Sequence, residues 1–206
     1  MKTLVIAAVA ALGFAGAASA EDFTDTAVTA TVAFDAYEVS ITGSVDNDFN
    51  VSEDFALTGS ADILDHTVGA WDANVEMTVG YANVADEDLI GVAAAYQLEQ
   101  TVGAFTSTAE VEVSYLALAD DLSNGETFVT PTLGLAFAAT DTLDVFGEVS
   151  YDWQASDDFA RLGGAVEAGV VVALSDTVDV SGSVIRDFDT GATETTQAAL
   201  EVTFNF

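Results

Sequence analysis

The chain contains no cysteine, one proline and three basic residues. Each shortage excludes something. Without cysteine there is no disulfide, no acyl anchor on a thiol, and no thiolate for nucleophilic work or soft-metal binding. The bases are Lys2, Arg161 and Arg186, set against 35 acids. Nucleic acid demands a basic footprint and anionic lipid surfaces demand basic clusters, so neither is an expected partner. Histidine occurs once, as His66 beside Asp65. A triad is defined by geometry and not by adjacency, so His66 reads as a solvated turn residue. No P-loop or dinucleotide fingerprint appears. These shortages point away from an enzyme and from any cofactor beyond weakly bound Ca²⁺ or Mg²⁺. After residue 20, no apolar run approaches the roughly 18 residues of a helical membrane span.

The N-terminus carries an export pattern. Lys2 precedes an apolar stretch over 4–18, and Ala18-Ser19-Ala20 precedes Glu21. A positive start, an apolar middle and a small-residue A-x-A site mark a secretory signal peptide. The reading is therefore a cleaved signal at 1–20 and one domain over 21–206. That domain keeps all 35 acids and two bases, a formal charge of 2 − 35 = −33. Such a charge alone suggests disorder. Yet 50% of the chain is hydrophobic, with valine, threonine and phenylalanine abundant, which fits strands. Cations are the natural counter-species for the charge.

About ten segments alternate apolar and polar residues, roughly 30–45, 54–64, 70–82, 88–98, 108–118, 126–138, 142–153, 161–174, 177–187 and 196–206. The apolar phase of the first switches between Phe34 and Tyr37, which fits a bulge or a tight hairpin. Period two gives each strand two faces. In the third segment Trp71, Ala73, Val75, Met77, Val79 and Tyr81 oppose Asp72, Asn74, Glu76, Thr78 and Gly80. In the seventh, Leu143, Val145, Gly147, Val149, Tyr151 and Trp153 oppose Asp144, Phe146, Glu148, Ser150 and Asp152. Aromatics sit at segment ends and small aliphatics between them, the order that two aromatic girdles around an apolar band produce. The sole proline, Pro131, lacks a ladder donor and is expected near a strand end or bulge.

The C-terminus adds a resemblance. Leu200, Val202, Phe204 and Phe206 alternate with Glu201, Thr203 and Asn205, and the chain stops on an aromatic. This resembles the closing strand of a bacterial outer-membrane β-barrel of small, porin-like type. The resemblance implies that Phe204 and Phe206 form part of the signal read by the barrel-assembly machinery. It also implies an outer-membrane location among outer-membrane lipids, and a periplasmic C-terminus. The connections alternate accordingly between a short set and a longer, more acidic set, as periplasmic turns and extracellular loops do. The expected fold is all-β, an antiparallel up-and-down transmembrane barrel. An even count with both ends on one side suits ten strands; eight or twelve stay open.

On this reading the polar faces line a lumen. Its acids are Glu38, Asp62, Glu76, Glu110, Glu112, Asp144, Glu148, Asp152, Glu167 and Glu201, with Arg161 the only base of matching parity. Unpaired carboxylates in a dry interior cost several kcal/mol each, so the interior is expected to hold water or cations. Rings of acids in a hydrated pore favour cations. The loop from Asp46 through Asp48 and Asn50 offers alternate oxygen ligands and reads as a weak Ca²⁺ or Mg²⁺ site. Three functions fit: a porin-like barrel passing small solutes or cations, a non-conducting structural or adhesive barrel with ion-binding acidic loops, and a secreted soluble all-β protein.

Overall fold

The computed structural model describes residues 26–34, 37–45, 51–84, 87–156, 160–188 and 196–206. They form eleven strands and, among the described residues, no helix. In chain order these are β1 (Thr26–Phe34), β2 (Tyr37–Val45), β3 (Val51–Val68), β4 (Trp71–Val84), β5 (Glu87–Val102), β6 (Phe105–Leu118), β7 (Asp121–Thr140), β8 (Leu143–Gln154), β9 (Ala160–Ser175), β10 (Val178–Phe188) and β11 (Thr196–Asn205). Each strand pairs antiparallel with its chain neighbour, and β1 closes on β11 into a barrel. Closure removes both sheet edges, so every strand has a partner on each side.

The all-β, up-and-down barrel is what the alternation predicts, and the strand number differs by one. Nine of the segments each fall on one strand, whereas 30–45 divides into β1 and β2. The phase switch between Phe34 and Tyr37 is the hairpin between them, with Phe34 opposite Tyr37. One consequence overturns an expectation. With an odd count, β1 must run parallel to β11, from Thr26 opposite Ala198 to Ala33 opposite Asn205. The first and last strands therefore begin at the same rim, and the described chain does not start and finish on one side of the barrel.

One rim carries the hairpins Val68/Trp71, Val102/Phe105, Thr140/Leu143 and Ser175/Val178. Gly69 and Gly103 occupy two of these turns with φ of 67° and 65°. Two-residue hairpins need such left-handed backbone, which glycine adopts without penalty. The other rim joins β2 to β3, β4 to β5, β6 to β7, β8 to β9 and β10 to β11. The loop over 46–50, with Asp46, Asp48 and Asn50, lies outside the described residues, as does the export signal. Pro131 lies mid-strand in β7 and not near an end. The β7–β8 ladder carries no pair at Thr130 or Pro131 and resumes at Thr132 opposite Ser150. The missing donor is thus absorbed as a local gap in that ladder.

Candidate functional site: the acidic lumen

The pleat sends alternate residues inward, so the register assigns every face. Thr31, Ser40, Thr58, Thr78, Thr108, Thr132, Glu148 and Glu167 are buried on the inner face. Ile41, Leu57, Met77, Val79, Val92, Val111, Leu133, Val145 and Val170 are largely exposed on the outer one. The usual arrangement of a soluble protein is inverted: polar groups form the interior and aliphatic groups the surface.

Two aromatic belts bound that aliphatic surface. At the short-turn rim Phe34 stacks on Phe206 at 6.0 Å, while Phe105 meets Phe137 at 5.0 Å and His66 meets Tyr96 at 5.8 Å, both tilted. At the other rim Phe55 meets Tyr81 at 5.8 Å, and Tyr151 meets Trp153 and Phe188 at 6.0 and 5.3 Å. From Trp71 to Tyr81 is ten residue steps of β4. At about 3.3 Å per step and a tilt of about 40°, the belts stand about 25 Å apart.

Bulges move two residues away from their expected places. A register shift between Asp62 and Leu64 reverses the parity of β3. His66 thus sits in a strand, not on a turn, with its ring on the outer belt and Nε2 3.3 Å from the Tyr96 hydroxyl. Asp65 and His66 face opposite ways. A second shift, beyond Asp152 and Gly163, puts Arg161 opposite Trp153. Its guanidinium lies 5.0 Å over the Tyr151 ring, on the outer face and not in the lumen. Arg186 shares the outer face with Val184 and Phe188. Among the described residues the lumen holds no base.

It holds many acids. Glu38 comes from β2, Asp62 from β3, Glu76 from β4, Glu110 and Glu112 from β6, Asp144, Glu148 and Asp152 from β8, Glu167 from β9 and Glu201 from β11. The register places all of them on the face that carries Thr31, Thr58, Thr78 and Thr108. Asp72, on the polar face of its segment, also faces inward, as do Glu99 and Asp179, which the alternation reading did not name. The parity of Val178, Val180 and Ser181 around Asp179 was signal enough to find it. Asp62 lies opposite Glu76, and Glu148 lies opposite Glu167. Like charges directly opposite destabilise a sheet.

Neutral donors offset part of this repulsion. Thr31 Oγ1 donates to Glu201 Oε1 at 2.7 Å, and Thr130 Oγ1 donates to Asp152 Oδ1 at 2.7 Å. Asn74 Nδ2 donates to Asp62 Oδ1 at 3.1 Å, Gln97 Nε2 to Glu110 Oε2 at 3.4 Å, and Asn205 Nδ2 to Asp179 Oδ2 at 2.9 Å. Hydrogen bonds to a charged acceptor are stronger than neutral ones, but they add no countercharge. Among the described residues no three His, Asp or Glu side chains converge as a metal cage. Phe146, the one aromatic on its polar face, lies where a Cβ on Gly169 would be, its Cζ 2.7 Å from that point. The glycine makes room for the ring.

Outside the band, hydrogen bonds organise the far rim. Asp88 is held below the usual carboxylate range by the Tyr81 hydroxyl at 2.5 Å and then by Asn83 Nδ2 at 2.8 Å. Asp121 is lowered likewise by Ser123 and then Asn124. Tyr115 clasps the start of β7, donating to the Leu122 carbonyl at 2.5 Å and accepting from the Gly125 amide at 3.1 Å.

No family model and no curated protein matches the chain. Among solved structures it is similar to an anion-selective porin from Comamonas acidovorans, at 10% identity and a TM-score of 0.41. The alignment covers 82% of this chain and 52% of that porin, so the chain spans about half of the porin's length.

Proposed function

We propose that the protein is an outer-membrane, porin-like barrel whose acidic, hydrated lumen passes small cations or other small solutes. One observation carries this reading: an aliphatic outer band between two aromatic belts encloses an interior of carboxylates with no base among the described residues. Apolar surface of that extent is stable against hydrocarbon and not against water. An interior of like charge is stable only if water or cations reach it. The role is passive passage and not catalysis. Export by the N-terminal signal and recognition of Phe204 and Phe206 by assembly machinery belong to the same reading.

One observation favours a second reading. Several inner side chains are packed tightly enough to be almost inaccessible, with Thr31 at 0% and Thr78 at 4% exposure. Eleven strands stand between the eight that side chains just fill and the sixteen or so of wide aqueous channels. A non-conducting barrel, acting through its acidic loops in a structural or adhesive role, is the alternative. Reconstitution in a planar bilayer separates the two. Discrete conductance steps support the pore; a folded barrel without steps supports the closed alternative.

A further inference from the structure

We propose that the lumen wall of β6, β7 and β8 holds one exchangeable divalent cation of the calcium class, between Glu110, Thr132 and Glu148. The proposal deepens the reading above and rests on it, since a cation must be able to enter the lumen.

The register brings these groups together. Glu110 on β6 lies opposite Thr132 on β7, and Thr132 lies opposite Ser150 on β8. Gly134, next inward on β7, lies between Thr108 and Glu148. The absent side chain at Gly134 is where Glu148 leans. Its Cγ and Oε1 are each 3.3 Å from the point a Cβ would occupy, and Thr108 Oγ1 crowds the same point. Glu148 therefore leans over β7, the strand that separates it from Glu110 on β6. It is 9% exposed, and Glu167, opposite on β9, is 6% exposed. Buried like charges of this kind need a countercharge, and among the described residues no side chain in the lumen supplies one.

Thr132 is the independent observation. It is 5% exposed, and its Oγ1 is buried with no hydrogen-bond partner. Other buried inner-face hydroxyls do find partners: Thr31 reaches Glu201, and Ser40 and Thr58 meet each other at 2.5 Å. A buried hydroxyl left unpaired on the stretch of wall that carries Glu110 and Glu148 presents a free oxygen to whatever the carboxylates attract. Two carboxylates and a hydroxyl are hard oxygen ligands, which suit Ca²⁺. Mg²⁺ demands near-ideal octahedral geometry and sheds water reluctantly, so it fits less well. Three protein oxygens are fewer than the six to eight ligands Ca²⁺ takes, so water completes the shell. Such a site binds weakly and releases readily, which suits an ion on a conduction path.

The test is calcium titration of the folded full-length barrel in detergent, read by calorimetry, with heat-modifiable gel mobility confirming that each variant is folded. Wild type is expected to bind about one Ca²⁺ with Kd of about 0.1–1 mM. Glu148→Gln and Thr132→Val each weaken binding about tenfold or more, and Thr132→Ser restores it. Asp88→Asn, at the far rim, leaves it unchanged. Equal affinity in wild type, Glu148→Gln and Thr132→Val overturns the site. Absence of saturable binding to folded wild type also overturns it. Conductance measured on the same preparations separates the two claims. Conductance without site-dependent binding defeats the site and leaves the pore; binding without conductance defeats the pore and leaves the site.

Discussion

Replacing Met77 by arginine asks whether the outer face meets lipid. Met77 lies on the outer face of β4, six residues from Trp71 and four from Tyr81. At about 2.5 Å of height per tilted residue, that is about 15 Å from one belt and about 10 Å from the other, close to mid-band. The side chain is 47% exposed. In water, a substitution at so exposed a site changes stability by no more than about 0.5 kcal/mol. In a bilayer, arginine at the midplane of a barrel costs about 2–4 kcal/mol. Every 1.4 kcal/mol is tenfold, so the folding equilibrium falls about thirty- to thousandfold. Val102→Arg provides the depth control: it is 66% exposed at the short-turn rim. There the cost is about 0–1 kcal/mol. The assay is reversible unfolding by denaturant in lipid vesicles, followed by tryptophan fluorescence and gel mobility. Equal small losses at Met77 and Val102 refute a lipid-facing band.

Three further outcomes follow from named contacts. Phe206→Ala removes the ring stacked on Phe34 across the parallel seam and is expected to cost about 0.5–1.5 kcal/mol in vesicles; unchanged stability, with unchanged assembly by purified machinery, removes both roles given to Phe206. Gly134→Ala places a methyl group where Glu148 and Thr108 already sit. It is expected to destabilise by about 1–3 kcal/mol through overpacking, measured by the same unfolding assay, and a neutral result contradicts the inward lean of Glu148. Asp121 is depressed when folded, so its contribution is present above the unfolded value of about 3.9 and is lost as pH falls through the lower folded value. A carboxyl NMR titration placing its midpoint at or above the unfolded value contradicts the Ser123 and Asn124 hydrogen bonds.

Much of this architecture is legible in the sequence because a strand pattern of period two is local. Trp71 through Tyr81 names both faces of β4 without any partner, and the same parity places Glu38, Glu76, Glu148 and Glu201 inward. Long-range facts are not local. The parallel seam of β1 with β11 depends on the total count, which one extra hairpin between Phe34 and Tyr37 changes. Bulges are invisible for a related reason. A single extra residue flips every side chain beyond it, which is how Arg161 and His66 reach the outer face. The unpaired Thr132 hydroxyl has no sequence signature, since threonines recur along many inner faces and only the assembled wall leaves this one without a partner. The acidic loop at 46–50 lies outside the described residues, and its weak cation site stands as an expectation.

The most direct test of the central claim is the reversal potential of single barrels in a planar bilayer under a tenfold KCl gradient. Discrete openings with a cation-selective potential are expected, approaching but not exceeding the Nernst value of about 59 mV. The potential is expected to fall toward zero or invert when Glu76, Glu148 and Asp152 become lysine. Openings whose reversal potential is anion-selective in the native chain, or is unmoved by those three substitutions, would contradict a cation-selective lumen.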